Sequence, residues 1–261
     1  SQATKLLRID DNAFKGCSSL TEVKVPKSLT SFGTGVFGGM TTNGSTTTNT
    51  ATTSLTTIDL SSTQVTSLPN SLFQGCTSLS NVKLPSGLTS IGESAFQGAT
   101  SLTSVNLPTG LTTINGSAFA NSGLTTIDLS QTQITTINNS TFNGATKLET
   151  VKLPSTVTRI NDNAFKGTTA LKTLTQEKPA PTPSETPVAP STRAATNQLA
   201  STLTSIGNYA FQGTGLESID LSETKIIGYG ENTSLGNSAF QDAASLKDVT
   251  LPTGLKGIPA A

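Results

Sequence analysis

LTSIGESAFQGATSLTSVNLPTG, residues 88–110, is the stretch whose reading decides the fold. Its apolar positions are Leu88, Ile91, Ala95, Phe96, Leu102, Val105 and Leu107, with small Ala99 between them. Val105 and Leu107 alternate with the period of a strand and share one face. Leu88 and Ile91 read as a second short extended segment, after which Gly92 permits a turn. A single unit of this kind cannot bury its inward set alone, whereas stacked copies form a continuous core.

The copies are found by aligning on Phe96. Phe73, Phe96, Phe119, Phe142 and Phe165 are each 23 residues apart, as are Phe14 and Phe37. Phe165 and Phe211 are 46 apart, two periods with one visible repeat boundary between them. Phe240 ends the column, and of the 10 Phe only Phe32 lies outside it. The units come in two forms. From Phe96 to Leu102 is 6 residues and from Leu107 to Leu111 is 4, whereas Phe119 to Leu124 and Leu129 to Ile134 are both 5. The residue lost at one corner returns at the next, so later columns stay in register. That compensation predicts a closed coil stacked on its neighbours: a single solenoid over 1–261, rich in parallel strands, with short extended or 3₁₀ corners and almost no α-helix.

The composition agrees with thin repeats. Apolar residues are 33% and charged residues 12% of the chain, both below the usual globular share. Net charge is zero, and the apolar residues are periodic, which argues against disorder. No cluster of Lys and Arg supplies the footprint of a nucleic-acid binder. No apolar run is long enough to span a bilayer, and the first residues do not read as a signal peptide. Because they already lie inside the repeat, the chain is expected to be a fragment of something longer, without membrane insertion of its own.

The unit L-x-x-I-x-x-x-A-F-x-x-x-x-x-L-x-x-V-x-L-P resembles the Treponema pallidum-type leucine-rich repeat of BspA-like surface proteins. It is carried by LTSIGESAFQGATSLTSVNLP at 88–108, VTRINDNAFKGTTALKTL at 157–174 and LTSIGNYAFQGTGLESIDL at 203–221. The resemblance implies a cell-surface or secreted adhesin that engages an extracellular protein, either host matrix or microbial surface. It names no ligand, and fold alone does not give function.

Three insertions interrupt the pattern, at 38–54, 175–201 and 228–234. The first is Thr-rich without apolar periodicity and reads as a mobile loop. The second holds five of the 12 Pro; it favours polyproline II structure and is expected to bulge out while the coil resumes at Leu203. The third adds about six residues, the excess of a 29-residue Phe211–Phe240 spacing over the period. The last unit runs to Ile258 without a polar cap and is expected to leave an exposed end.

Several motifs reduce to repeat chemistry. GTGVFG at 33–38 has dinucleotide-loop spacing, but Phe37 occupies the Phe column and a Thr-rich stretch follows where a helix is needed. LPSTV at 153–157 resembles a cell-wall sorting signal, yet LP recurs at the same corner of several units. Cys17 and Cys76 both follow a column Phe by three residues, two units apart, too far for a disulfide; both are expected reduced, small and buried. With 0 His and 2 Cys, neither a zinc site nor a His-based catalytic triad is available. Adjacent Asp10 and Asp11 read as turn chemistry. No enzyme activity and no cofactor are expected. Asn-x-Ser/Thr triplets at Asn43, Asn115, Asn138, Asn139 and Asn232 follow from composition and matter only in a secreted eukaryotic chain.

The outward strand position between the last two apolar residues reads Lys24, Asp59, Lys83, Asn106, Asp128, Lys152, Thr175, Asp220 and Thr250. On neighbouring parallel strands these side chains are adjacent, so the alternating signs form either a solvated ladder or a polar binding strip. The partner-binding candidates are Lys24, Asp59, Lys83, Asn106, Asp128, Lys152 and Asp220. The outward column before it, from Glu22 through Thr57 and Asn81 to Asp248, contains no aromatic anchor. A protein-binding module that uses the solenoid face or its inserted loops is the leading expectation, and a passive structural spacer or stalk presenting another domain the alternative. An ice- or crystal-binding face is disfavoured by the interspersed charges.

Overall fold

Each coil closes because its inward side chains alternate along two short strands while its corners carry residues that turn easily. The computed structural model describes residues 5–43, 46–178, 197–228 and 234–257. On one face, Thr57–Asp59 lies between Glu22–Val23 and Asn81–Lys83, and Thr150–Leu153 between Thr126–Asp128 and Thr173–Gln176. Ser218–Asp220 pairs with Asp248–Thr250 on the same face. A second face carries two-residue strands, with Ser67–Leu68, Ser90–Ile91 and Thr113–Ile114 in one run. Thr136–Ile137, Arg159–Ile160 and Ser205–Ile206 form another, and Arg8–Ile9 pairs with Ser31–Phe32. All of these pairs are parallel, and no described residue is helical. The two unit forms compensate as their spacing requires. Asp128 pairs with Lys152 on one face, while Thr136 pairs with Arg159 on the other.

The column of Phe side chains is the spine. Phe14, Phe37, Phe73, Phe96, Phe119, Phe142, Phe165, Phe211 and Phe240 stack in that order, each ring centroid 5.2–5.8 Å from the next. Successive rings are parallel to within 22°. Offset-stacked rings contribute about 0.5–1.5 kcal/mol per pair beyond the area they bury. From Phe37 to Phe211 the column rings are fully buried, whereas the terminal Phe14 and Phe240 are only partly so. Phe32 lies beside the spine, edge-on to Phe37 at 6.3 Å. The backbone repeats the same connection. The Phe96 N–H donates to the Ala118 carbonyl at 2.8 Å and the Phe119 N–H to Thr141 at 2.9 Å, and so on along the column.

The corner before each ring is a string of i→i−3 turns. Ala95 N–H donates to the Gly92 carbonyl, Gln97 to Ser94 and Ala99 to Phe96. Two residues before every column Phe the backbone is left-handed, with φ between 52° and 61°. Ser94, Ser117 and Asn163 are examples. A residue with a Cβ is disfavoured there by roughly 1–2 kcal/mol, and the short polar side chains in this column tolerate the region best.

GTGVFG is packing between coils. A Cβ on Gly33 would lie 2.4 Å from the Asp11 backbone nitrogen, and one on Gly38 1.9 Å from the Ser71 carbonyl oxygen. Glycine is needed at both because the next coil passes there.

Two expectations are corrected. The Thr-rich insertion is not a structureless loop: Met40–Asn43 pairs antiparallel with Thr46–Asn49 in a hairpin. Its β-branched Thr residues favour strand, and the register leaves two residues between Asn43 and Thr46, the length of a tight hairpin connection. The Thr50 N–H closes the hairpin's base on the Gly39 carbonyl at 2.7 Å. Cys17 is exposed rather than buried, because its coil lies at the end of the described stack; Cys76 is buried, and both are free thiols. Burial pushes the Cys76 thiol up to about 12.

The long insertion adds no layer to the Phe column. Phe165 stacks directly on Phe211, and Ile160 pairs with Ile206. Residues 179–196 of it lie outside the described residues, but at both ends its flanks enter the stack. Gln176 is buried in the column occupied by Leu153. Its Nε2 donates to the Val157 carbonyl at 2.7 Å, and its Oε1 accepts from the Ala200 N–H at 3.0 Å. Asn197 is wedged between Thr173–Gln176 and Ser218–Asp220. Its Oδ1 accepts from the Leu174 N–H, and its Nδ2 donates to the carbonyls of Lys172 and Ser218, all at 2.9 Å. A carboxamide thus stands in for the ladder between those two strands. In the third insertion Gly228 and Ser234 form a parallel bridge, and 229–233 lie outside the described residues. So does Ile258, on which the expectation of an exposed end rested.

The column three residues after each Phe gives opposed stability tests. Phe119→Ala is expected to cost about 3–5 kcal/mol by emptying the spine. Ser122→Ala is expected to stabilise by about 1 kcal/mol, because the buried Ser122 hydroxyl has no partner. Ala99 and Ala145 already occupy the same position in the neighbouring coils. Urea midpoints of the two variants check both signs.

Candidate functional site

The outward residues of the first strand face come together in segments. Asp59 pairs in register with Lys83, and the Lys83 Nζ lies 3.1 Å from Asp59 Oδ2. Asp128 and Lys152 repeat that arrangement at 3.2 Å, and Lys152 is in turn in register with Thr175. Asp220 is in register with Thr250. Lys24 follows the strand Glu22–Val23, across a groove from Asp59. Asn106 is not brought into the ladder. Residues 103–107 form no described strand, and the N–H groups of Ser104, Val105 and Asn106 find no acceptor among the described residues. The strip is therefore divided at Asn106 and again at the Asn197 wedge.

Three of its carboxylates have local work. Asp59, Asp128 and Asp220 each open an Asp-Leu-Ser corner and accept the N–H of the Ser two residues on, at 3.0, 3.0 and 2.9 Å. These are Asx turns. Where the corner is instead Leu-Pro, as after Lys83, Asn106 and Lys152, the outward position is free of that duty and carries a base or an amide. The alternation in sign thus follows the alternation of corner types.

The electrostatics follow from the turns. Asp59 is held down at about 2, first by the Ser61 hydroxyl at 2.6 Å, then by the Ser61 N–H, with Lys83 adding to both. Asp128 is lowered by Ser130 and, less, by Lys152. Glu217 is lowered by Lys247, a pair on the next coils at 3.0 Å. The Glu22, Lys24, Asp59, Asn81 and Lys83 side chains line one groove of about 340 Å³, with Val23 and Ile58 on its floor. Strand pairing on that side ends at Val23 with Ile58.

A family profile described as the BspA type leucine rich repeat region, in six copies, matches residues 2–68, 66–181 and 191–261. The chain belongs to the BspA-type leucine-rich repeat family. Among solved structures, a leucine-rich repeat protein from Bacteroides ovatus is 22% identical with a TM-score of 0.68, over 98% of this chain and 64% of that one. This chain thus spans just under two thirds of that protein's length, and the likeness shows the fold. The Treponema pallidum leucine-rich repeat protein is 19% identical with a TM-score of 0.48, over 95% and 74% of the two chains. A leucine rich cell surface protein from Faecalibacterium prausnitzii is 19% identical with a TM-score of 0.36, over 98% and 72%. No protein of curated function matches the sequence.

Within the BspA-type frame, sequence reasoning missed the structural duty of the three Asp residues, although Asp-Leu-Ser recurs at 59–61, 128–130 and 220–222. It also missed Gln176 and Asn197, whose signal was a polar residue in an apolar column and an Asn 23 residues after Leu174. Because Ser61 is the leading cause of the lowered Asp59, Ser61→Ala is expected to raise the Asp59 pKa further than Lys83→Ala does. Carboxyl NMR titration reads both. Asp59 sits below the unfolded value of about 3.9, so its contribution to stability is present above that pH and lost as the pH falls through about 2.

Proposed function

We propose that this BspA-type repeat is a non-enzymatic protein-binding module of a cell-surface or secreted adhesin, and that its partner docks on the first strand face. The observation that carries the reading is the groove between Glu22–Val23 and Thr57–Asp59, with Lys24 and Lys83 on its walls. Asp59 and Asp128 are committed to their own corners, and their pairs with Lys83 and Lys152 are exposed and weak, so the ammonium groups of Lys24, Lys83 and Lys152 are the side chains best placed to meet an acidic partner. Asn106 and Asp220 lie on the same face, at the first break in the strip and beyond the second. Family membership supports both the binding role and the surface location. No described helix is long and apolar enough to cross a membrane.

A partner held by exposed charges binds through many weak contacts, with an on-rate that falls as salt rises. Against a panel of immobilised matrix and microbial surface proteins, Lys24→Glu with Lys83→Glu is expected to weaken binding about tenfold, and addition of Lys152→Glu to weaken it further. Binding that survives all three changes places the partner elsewhere. No binding to any protein of the panel favours a passive spacer.

A further inference from the structure

On a different surface, at the corner between the second strand face and the Phe column, a trough of about 500 Å³, with one carboxylate and no basic residue in its lining, runs across five coils. It is lined by Asn70, Glu93, Asn115, Gly116, Asn138, Asn139 and Asn161. Elsewhere this corner is tied by a side-chain ladder one position before the left-handed residue. Asp11 accepts the Thr34 N–H at 2.9 Å, Asn70 the Glu93 N–H at 2.9 Å, Asp162 the Asn208 N–H at 2.7 Å and Asn208 the Asn237 N–H at 2.8 Å. At the trough the ladder stops. Glu93 does not cap Gly116, Gly116 has no side chain to cap Asn139, and Asn139 does not cap Asp162. The N–H groups of Gly116, Asn139 and Asp162 have no acceptor among the described residues. The side-chain amides of Asn115, Asn139 and Asn161 likewise have no protein partner, and only Asn138 spends its Nδ2, on the Ile114 carbonyl at 2.7 Å.

We propose that this trough binds a neutral polysaccharide whose chain runs along the stacking direction. Main-chain donors that the protein leaves unpaired at an open surface are met by water and are available to a ligand that accepts from them, and a row of them at a turn can attract anions. Here no Lys or Arg lines the trough and Glu93 stands in it, so the acceptors that fit are uncharged. Sugar hydroxyls both accept from N–H groups and donate to carboxamide oxygens, and Asn offers both functions at four of the five coils, with Glu93 as an acceptor at the other. A peptide would also need pockets for anchoring side chains, and the trough lining contains no apolar residue. The coils repeat at about 4.8 Å, so a chain running along the stack meets a polar side chain at every coil. The proposal is independent of the protein-binding reading.

The test restores the missing cap. Gly116→Asn places a carboxamide where Asn70 has one, and its Cβ meets the Asn139 carbonyl oxygen at 3.1 Å, a contact relieved by a small shift. In gels containing amylose, dextran, a β-1,4-glucan or galactomannan, with alginate as the anionic control, the wild-type chain is expected to be retarded by at least one neutral polymer. Gly116→Asn is expected to weaken that retardation about tenfold, the scale of one or two neutral hydrogen bonds, while its urea midpoint stays the same or rises. Asn115→Ala with Asn161→Ala removes two amides without touching the backbone and is expected to show a similar loss. Retardation by no neutral polymer, retardation by alginate alone, or retardation unchanged in both variants overturns the proposal.

Discussion

The contact on which everything else depends is the one a column Phe makes with the Phe of the next coil. It is two interactions in one place: ring on ring at little more than 5 Å, and the ring's own N–H donating to the carbonyl just before the next ring. Neither tolerates an extra layer. Insertions of very different length therefore leave the column untouched. A hairpin intervenes between Phe37 and Phe73 and a Pro-rich segment between Phe165 and Phe211, yet both ring pairs are stacked within 7°.

The strand face bears the consequences. Held to the spacing of the rings on one side, it accommodates irregularity on the other, by an unpaired segment at Ser104–Asn106 and by the Asn197 wedge. Asn197 and Gln176 show how polar residues are admitted to such a core: each amide replaces peptide groups that the ladder lost, so burial leaves few bonds unmade. The charged strip is consequently a set of short surfaces, one of which is the groove beside Lys24 and Lys83.

The architecture was legible because its cause is periodic. Phe96 and its equivalents announce a spine, and the exchange of one residue between corners announces coils in register. The outward columns were legible for the same reason, since Asp59 with Lys83 and Asp128 with Lys152 meet as their positions require. Non-periodic features were not. The Thr-rich hairpin depends on local β-propensity rather than on the repeat. Exposure of Cys17 depends on its coil being terminal in the stack, which its column does not encode. The break in the Asn and Asp cap ladder at Gly116 is a matter of single side chains, visible only once the neighbouring N–H groups are seen to lack acceptors.

Ring contacts across the long insertion test the account most directly. In a chain with isotope-labelled Phe rings, the account predicts nuclear Overhauser contacts linking Phe142 to Phe165, Phe165 to Phe211 and Phe211 to Phe240 in unbroken succession. A Phe165 ring without contact to Phe211, or open to solvent, would show that the spine is broken at 46 residues of separation. The single stacked column would then not exist.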